Sequence, residues 1–98
     1  MIIVNAILPV KEEKKEEVIE QAETLIKTSR THDGNISYNL YRDVLDDSLI
    51  FIEKWESQEA LQAHMQTPEF IEFGKSIEES VTAPLDIKLI VGEEVKGA

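Results

Sequence analysis

Cysteine is absent from the 98 residues of this chain. Disulfides, thiolate metal sites, iron–sulfur clusters and a cysteine nucleophile are excluded together. Basic residues are scarce, with 10 Lys and Arg against 20 Asp and Glu, for a formal net charge of -10. A surface of that sign repels phosphate backbones and anionic headgroups, so neither nucleic acid nor membrane is an expected partner. There are two histidines, His32 and His64, and alone they do not make a metal site. The phosphate-binding glycine loop, the nucleophile elbow and the zinc signatures are all missing. No apolar run is long enough to cross a bilayer, and the apolar residues 1–9 lack the basic leader and cleavage site of a signal peptide. The expected location is the cytoplasm.

What is present is a globular pattern. The hydrophobic fraction is 42%, which excludes a disordered chain, and the length suits one domain over residues 1–98. Residues 2–8 form an apolar, β-branched run closed by Pro9, which predicts a first strand. From Lys11 to about Arg30, Val18, Ile19, Ala22, Leu25 and Ile26 recur at helical spacing within a charged segment. His32-Asp33-Gly34-Asn35 carries turn residues. Residues 36–42 and 49–55 read as two strands joined by the Asp46-Asp47-Ser48 turn, a hairpin. Ser57 is an N-cap for a helix through about Gln66, with Ala60, Leu61 and Met65 inward. Thr67 and Pro68 start another helix, with Phe70, Phe73, Ile77 and Val81 inward and Pro84 as its breaker. Residues 85–91 form the last strand, ended by Gly92.

The order β-α-β-β-α-α-β is that of the split β-α-β, ferredoxin-like plan. The predicted class is α+β, a four-stranded antiparallel sheet with helices on one face. Strand 49–55 is apolar on both faces, with Leu49, Phe51, Glu53 and Trp55 on one side and Ile50, Ile52 and Lys54 on the other. Strand 2–8 is apolar on both faces too. A sheet wetted on one face would alternate apolar with polar. The helices cover one face, so a second subunit is the expected cover for the other, as a homodimer.

The residues able to carry chemistry gather around the third strand and the helix after it. Glu53 and Trp55 share a strand face. His64 lies four residues after the inward-facing Ala60, which puts it within reach of a pocket between sheet and helices. A histidine is suited to moving a proton near neutral pH, and Trp55 offers a flat wall for an aromatic ligand. Asn5 is a polar residue out of pattern in an apolar strand. Each has a plain structural reading as well. His64 is then a boundary residue bonded to a carbonyl, Trp55 is core, Glu53 is an acceptor for a Lys or Arg, and Asn5 is a buried amide. Tyr38, Phe70 and Phe73 are core by default.

The stretch from Ile52 to Phe70, IEKWESQEALQAHMQTPEF, resembles the antibiotic biosynthesis monooxygenase family. It carries Glu-x-Trp, an acidic-Ala-Leu helix, a His and a Thr-Pro-x-Phe step. Upstream, residues 33–43, DGNISYNLYRD, are similar to the family's Gly-x-x-x-Tyr-x-Leu-Tyr-x-Asp strand. The nearest-looking branch is the small quinol monooxygenase type. The resemblance implies a dimer of ferredoxin-like subunits with a pocket in each, and oxidation of quinols, anthrones or related phenols by O₂ with no flavin, haem or metal. It implies His64 as proton acceptor, Trp55 stacking on the substrate, Asn5 donating a hydrogen bond and Glu53 orienting His64. Tyr38, Phe70 and Phe73 would line the site around a small aromatic substrate. Three alternatives stay open: an aromatic-binding or stress-response module without turnover, a haem-degrading relative using Asn5, Trp55 and His64, and an isomerase of a phosphorylated autoinducer sugar.

Overall fold

The computed structural model describes residues 1–97. The two-sided apolar runs become the centre of the sheet. Strand β1 is Ile2–Leu8 and β3 is Leu49–Trp55, and the two pair antiparallel. Strand β2, Asn35–Arg42, flanks β3, and β4, Asp86–Val91, flanks β1. The order is β2-β3-β1-β4, and every neighbouring pair is antiparallel, the four-stranded antiparallel sheet that the sequence predicts.

Helix α1, Lys15–Ser29, follows a 3₁₀ turn at Glu12–Lys14. It buries Val18, Ala22 and Leu25, the inner stripe of the periodic pattern. Helix α2 is Gln58–Met65 and α3 is Pro68–Ser76. Ser57 caps α2 by accepting from the Ala60 N–H at 3.2 Å. Thr67 caps α3 by accepting from the Phe70 N–H at 3.4 Å, with Pro68 in the first turn. Both caps satisfy amides that a helix start leaves orphaned.

One expectation needs correction. Helix α3 stops at Ser76, short of Val81. Ile77 is still buried, as its C-cap, and Val81 reaches β-bridge geometry with Val10. Their apolar spacing reported burial, which turns supply as well as helices do. Met65, expected inward, does line the space between sheet and helices but stays 40% exposed as the last residue of α2.

The helices lie on the face that carries Val4, Ala6, Leu8, Tyr38, Leu49, Phe51 and Trp55, all buried. They stop short of β4. Ile87 and Leu89 face the same side, opposite Ala6 and Val4, but remain 53% and 55% exposed. That uncovered edge positions the opening of the site. The other sheet face carries Ile3, Ile7, Ile50 and Ile52, each half-buried, with no helix over it among the described residues. Among the described residues, no helix is long and apolar enough to cross a membrane.

Candidate active site

A cavity of about 120 Å³ lies between the sheet and helices α2 and α3. Its floor is Val4 and Ala6 from β1, Phe51 and Glu53 from β3 and Tyr38 from β2, and its roof includes His64, Phe70 and Phe73. Ile87 and Leu89 of β4 border its open side. Alternation along β3 dictates the floor: Phe51 and Glu53 differ by two positions and so point the same way, as does Trp55, which is fully buried and does not line the cavity.

His64 is 1% exposed, on the last turn of α2. Its ring lies over Trp55 with centroids 4.6 Å apart and planes at 37°, and Phe70 and Tyr38 flank it at 4.9 and 5.2 Å. Its backbone is clamped at the α2–α3 corner, where its carbonyl accepts from Thr67 Oγ1 at 2.7 Å and from the Thr67 N–H at 3.1 Å. The ring nitrogens have different surroundings. Nδ1 lies 3.0 Å from His32 Nδ1. Nε2 is buried, with no hydrogen-bond partner among the described residues. An orphaned buried nitrogen costs about 1–3 kcal/mol, so its presence at a cavity wall calls for a ligand.

Behind His64 stands a second pair. His32 Nε2 meets Glu69 Oε1 at 2.7 Å. His32 sits in the turn after α1, where its N–H donates to the Ser29 carbonyl at 3.0 Å. Glu69 sits in the first turn of α3, where the helix dipole favours a carboxylate. Its own amide and His32 hold it below the usual range.

Glu53 is 6% exposed and accepts from Trp55 Nε1 at 3.0 Å. Burial pushes its carboxyl up to about 7, against the opposing pull of hydrogen bonds from Trp55 and Tyr38. Burial, and next the charge of His32, push His64 down to about 4, with Glu69 opposing. Burial and the Glu53 charge push the Tyr38 hydroxyl up. Near neutral pH the cavity thus holds a neutral imidazole and a carboxyl near its midpoint. Two groups with pKa values driven apart are the usual mark of a base beside an acid.

The structure brings His64, Trp55, Glu53, Tyr38, Phe70 and Phe73 together. It does not bring Asn5. Val4 and Ala6 are buried toward the helices, so Asn5 between them points to the outer face, level with Ile52 and Lys88. The Glu53 carboxylate is engaged by the Trp55 indole, and among the described residues it makes no hydrogen bond to His64 of the kind an orienting group would. The orienting contact comes from His32, backed by Glu69, and the sequence reading names neither as a site residue. They lie 32 and 37 positions apart from the groups they meet. The available signals were the scarcity of histidine and a carboxylate just after Thr67-Pro68. No group of three or more His, Asp or Glu side chains among the described residues is arranged to hold a metal ion.

A sequence profile described as antibiotic biosynthesis monooxygenase matches residues 1–76. "Uncharacterized protein sll1783" of Synechocystis is 40% identical over 89 residues, which are 90% of this chain and 60% of that protein. The chain therefore spans well under the full length of that relative. "Putative monooxygenase YcnE" of Bacillus subtilis is 35% identical over 88 residues, 89% of this chain and 93% of that one. The structure of Rv0793 from Mycobacterium tuberculosis superposes with a TM-score of 0.91 over 98% of both chains at 21% identity, a likeness of fold. The chain belongs to the antibiotic biosynthesis monooxygenase family.

Proposed function

We propose that this protein is a cofactor-independent monooxygenase that oxidises a small phenol or quinol with O₂, using His64 as the base. The observation that carries this reading is the unpartnered, buried Nε2 of His64 at the wall of an apolar cavity. An aromatic hydroxyl entering the cavity would meet that nitrogen and the flat faces of Phe70 and Tyr38. Losing its proton to Nε2 leaves an electron-rich anion in a site that excludes bulk water. The anion passes one electron to O₂, and the two radicals join through a new C–O bond as a peroxide. The peroxide, once protonated, loses water and leaves a carbonyl. For a hydroquinone the balance is one O₂ consumed, one oxygen atom gained as a hydroxyquinone and one molecule of water released. The substrate supplies all the electrons, so the reading calls for no flavin, haem or metal. Glu53, with its carboxyl near half-protonation at neutral pH, is the acid within the same cavity.

Volume favours one member of the substrate class. An engineered apolar cavity of roughly 150 Å³ accepts benzene, so about 120 Å³ suits one ring, with substituents directed past Ile87 and Leu89. A single-ring quinol is favoured over a three-ring anthrone. Haem degradation loses support, because Asn5 is on the other side of the sheet. The reading includes a homodimer, with a second copy over the outer face that carries Ile3, Ile7, Ile50 and Ile52. Light scattering should give twice the mass of the chain; a monomer at micromolar concentration would remove this part.

The test is oxygen consumption with a panel of one-ring hydroquinones and three-ring anthrones, corrected for autoxidation without protein. Uptake above the control for the one-ring compounds is expected. Saturable binding of the same compounds with no uptake would make the protein an aromatic-binding module.

A further inference from the structure

We propose that Glu69, His32 and His64 form a proton relay from the cavity to solvent, in which Glu69 and His32 lock His64 as the Nδ1–H tautomer and carry away the proton taken up at Nε2. Hydrogen-bond bookkeeping along the chain supplies the lock. A carboxylate only accepts, so the 2.7 Å contact between His32 Nε2 and Glu69 Oε1 requires a proton on His32 Nε2. A neutral His32 then has a bare Nδ1. The 3.0 Å contact between the two Nδ1 atoms must be bridged by a proton from His64. That leaves His64 Nε2 bare on a ring that lines the cavity. With both rings neutral, no other tautomer pair satisfies both contacts.

The path also leads outward. The side chains of His32 and Glu69 are 16% and 30% exposed, so accessibility rises step by step from the sealed His64. Burial holds His64 itself down to about 4, which makes it a poor resting place for a proton at neutral pH. The relay removes the need to rest there. The substrate O–H bond breaks as an N–H bond forms at Nε2. The Nδ1–H of His64 passes to His32 Nδ1, the Nε2–H of His32 passes to the Glu69 carboxylate, and Glu69 yields the proton to water. Each ring gains one proton and gives one up, and no electrons move. The proton ends in water, Glu69 returns to the carboxylate, and the site gains the one negative charge of the substrate anion. When the peroxide later takes the Nε2–H of His64, the chain runs backward, Glu69 recovers a proton from water, and both tautomers reset.

The transfer rests on the function proposed above; the tautomer lock does not. The test therefore combines two readouts on the folded chain. Long-range ¹⁵N–¹H correlation spectra at neutral pH report the tautomer of each histidine, and oxygen uptake on a one-ring quinol reports turnover. Wild type is expected to show His64 protonated at Nδ1 and His32 at Nε2. His32→Phe removes the acceptor, so His64 should move to the Nε2–H form, with kcat falling roughly 10²-fold, the scale for losing a general base, and KM nearly unchanged. Glu69→Ala, at a residue that does not line the cavity, should shift the His64 tautomer in the same direction and lower kcat about tenfold. His64 protonated at Nε2 in wild type, or tautomers and kcat unmoved by both substitutions, overturns the proposal. Nδ1–H in wild type without turnover on any phenol would overturn the proposed function and the transfer, and leave the lock standing.

Discussion

Gly34→Ala is predicted to damage the fold and the site through one contact. Gly34 adopts φ +81, and a Cβ placed there would lie 2.5 Å from the Ala60 Cβ on α2. Its carbonyl accepts from the Glu56 N–H at 2.8 Å, so the turn is tied to the approach to α2 and cannot simply swing away. Carbon atoms settle at roughly 3.5–4.0 Å, which requires the turn and α2 to part by about 1–1.5 Å. The left-handed conformation costs a non-glycine residue about 1–3 kcal/mol, and overpacking costs about as much. The expected loss is therefore about 2–6 kcal/mol, from a total stability of about 5–15 kcal/mol for a domain. His32 and His64 stand on the two sides of this contact, so their 3.0 Å bond should open as well. Urea unfolding followed by circular dichroism on wild type, Gly34→Ala, Ala60→Gly and the double variant separates the parts. Ala60→Gly alone should cost about 1 kcal/mol in helix propensity. The double variant should recover about 1–3 kcal/mol relative to the sum of the singles, because the clash is relieved while the backbone strain stays. A loss below about 1 kcal/mol for Gly34→Ala, or no coupling in the double variant, refutes the reasoning.

Two further predictions concern the same region. Glu53 titrates at about 7 when folded against an ordinary 4.5, so the folded state holds the extra proton; this stability is complete below pH 4.5 and lost as pH rises to about 7. His64 titrates at about 4 against 6.5, so the unfolded state holds the extra proton and stability is lost as pH falls from about 6.5 to 4. The two slopes oppose between about pH 4.5 and 6.5, each reaching up to about 1.36 kcal/mol per pH unit. Urea unfolding should show Glu53→Gln gaining stability with rising pH and His64→Phe losing it; identical slopes in both variants would contradict the assignments. Thr67→Ala removes the α3 cap and the Oγ1 bond to the His64 carbonyl, and should cost about 1 kcal/mol in the same assay; an unchanged midpoint would mean that the cap contributes nothing.

The fold was legible because its signals are local. Pro9, Gly34, the Asp46-Asp47-Ser48 turn, Ser57 and Thr67-Pro68 punctuate the chain where the elements begin and end. The common face of Glu53, Trp55 and Phe51 follows from spacing alone, and the inward setting of His64 follows from Ala60 one helical turn before it. Asn5 was misassigned for a physical reason. Strand Ile2–Leu8 is apolar on both faces, so its composition does not say which parity faces the helices. Pairing with β3 decides, and that is tertiary information. The overlong α3 has a related cause, since Ile77 and Val81 keep helical spacing while the backbone turns. Glu69 and His32 were invisible as site residues because an end of one helix, a loop and another helix meet there only in the folded chain.

The central claim, that His64 is the base of an oxygen-consuming reaction on a small phenol, is tested most directly by oxygen uptake on one-ring hydroquinones with wild type, His64→Ala and a protein-free control. The account predicts uptake well above autoxidation in wild type and a fall of roughly 10²-fold in the variant, with the fold intact by circular dichroism. Full turnover in His64→Ala, or no uptake by wild type that binds the same compounds, would contradict it.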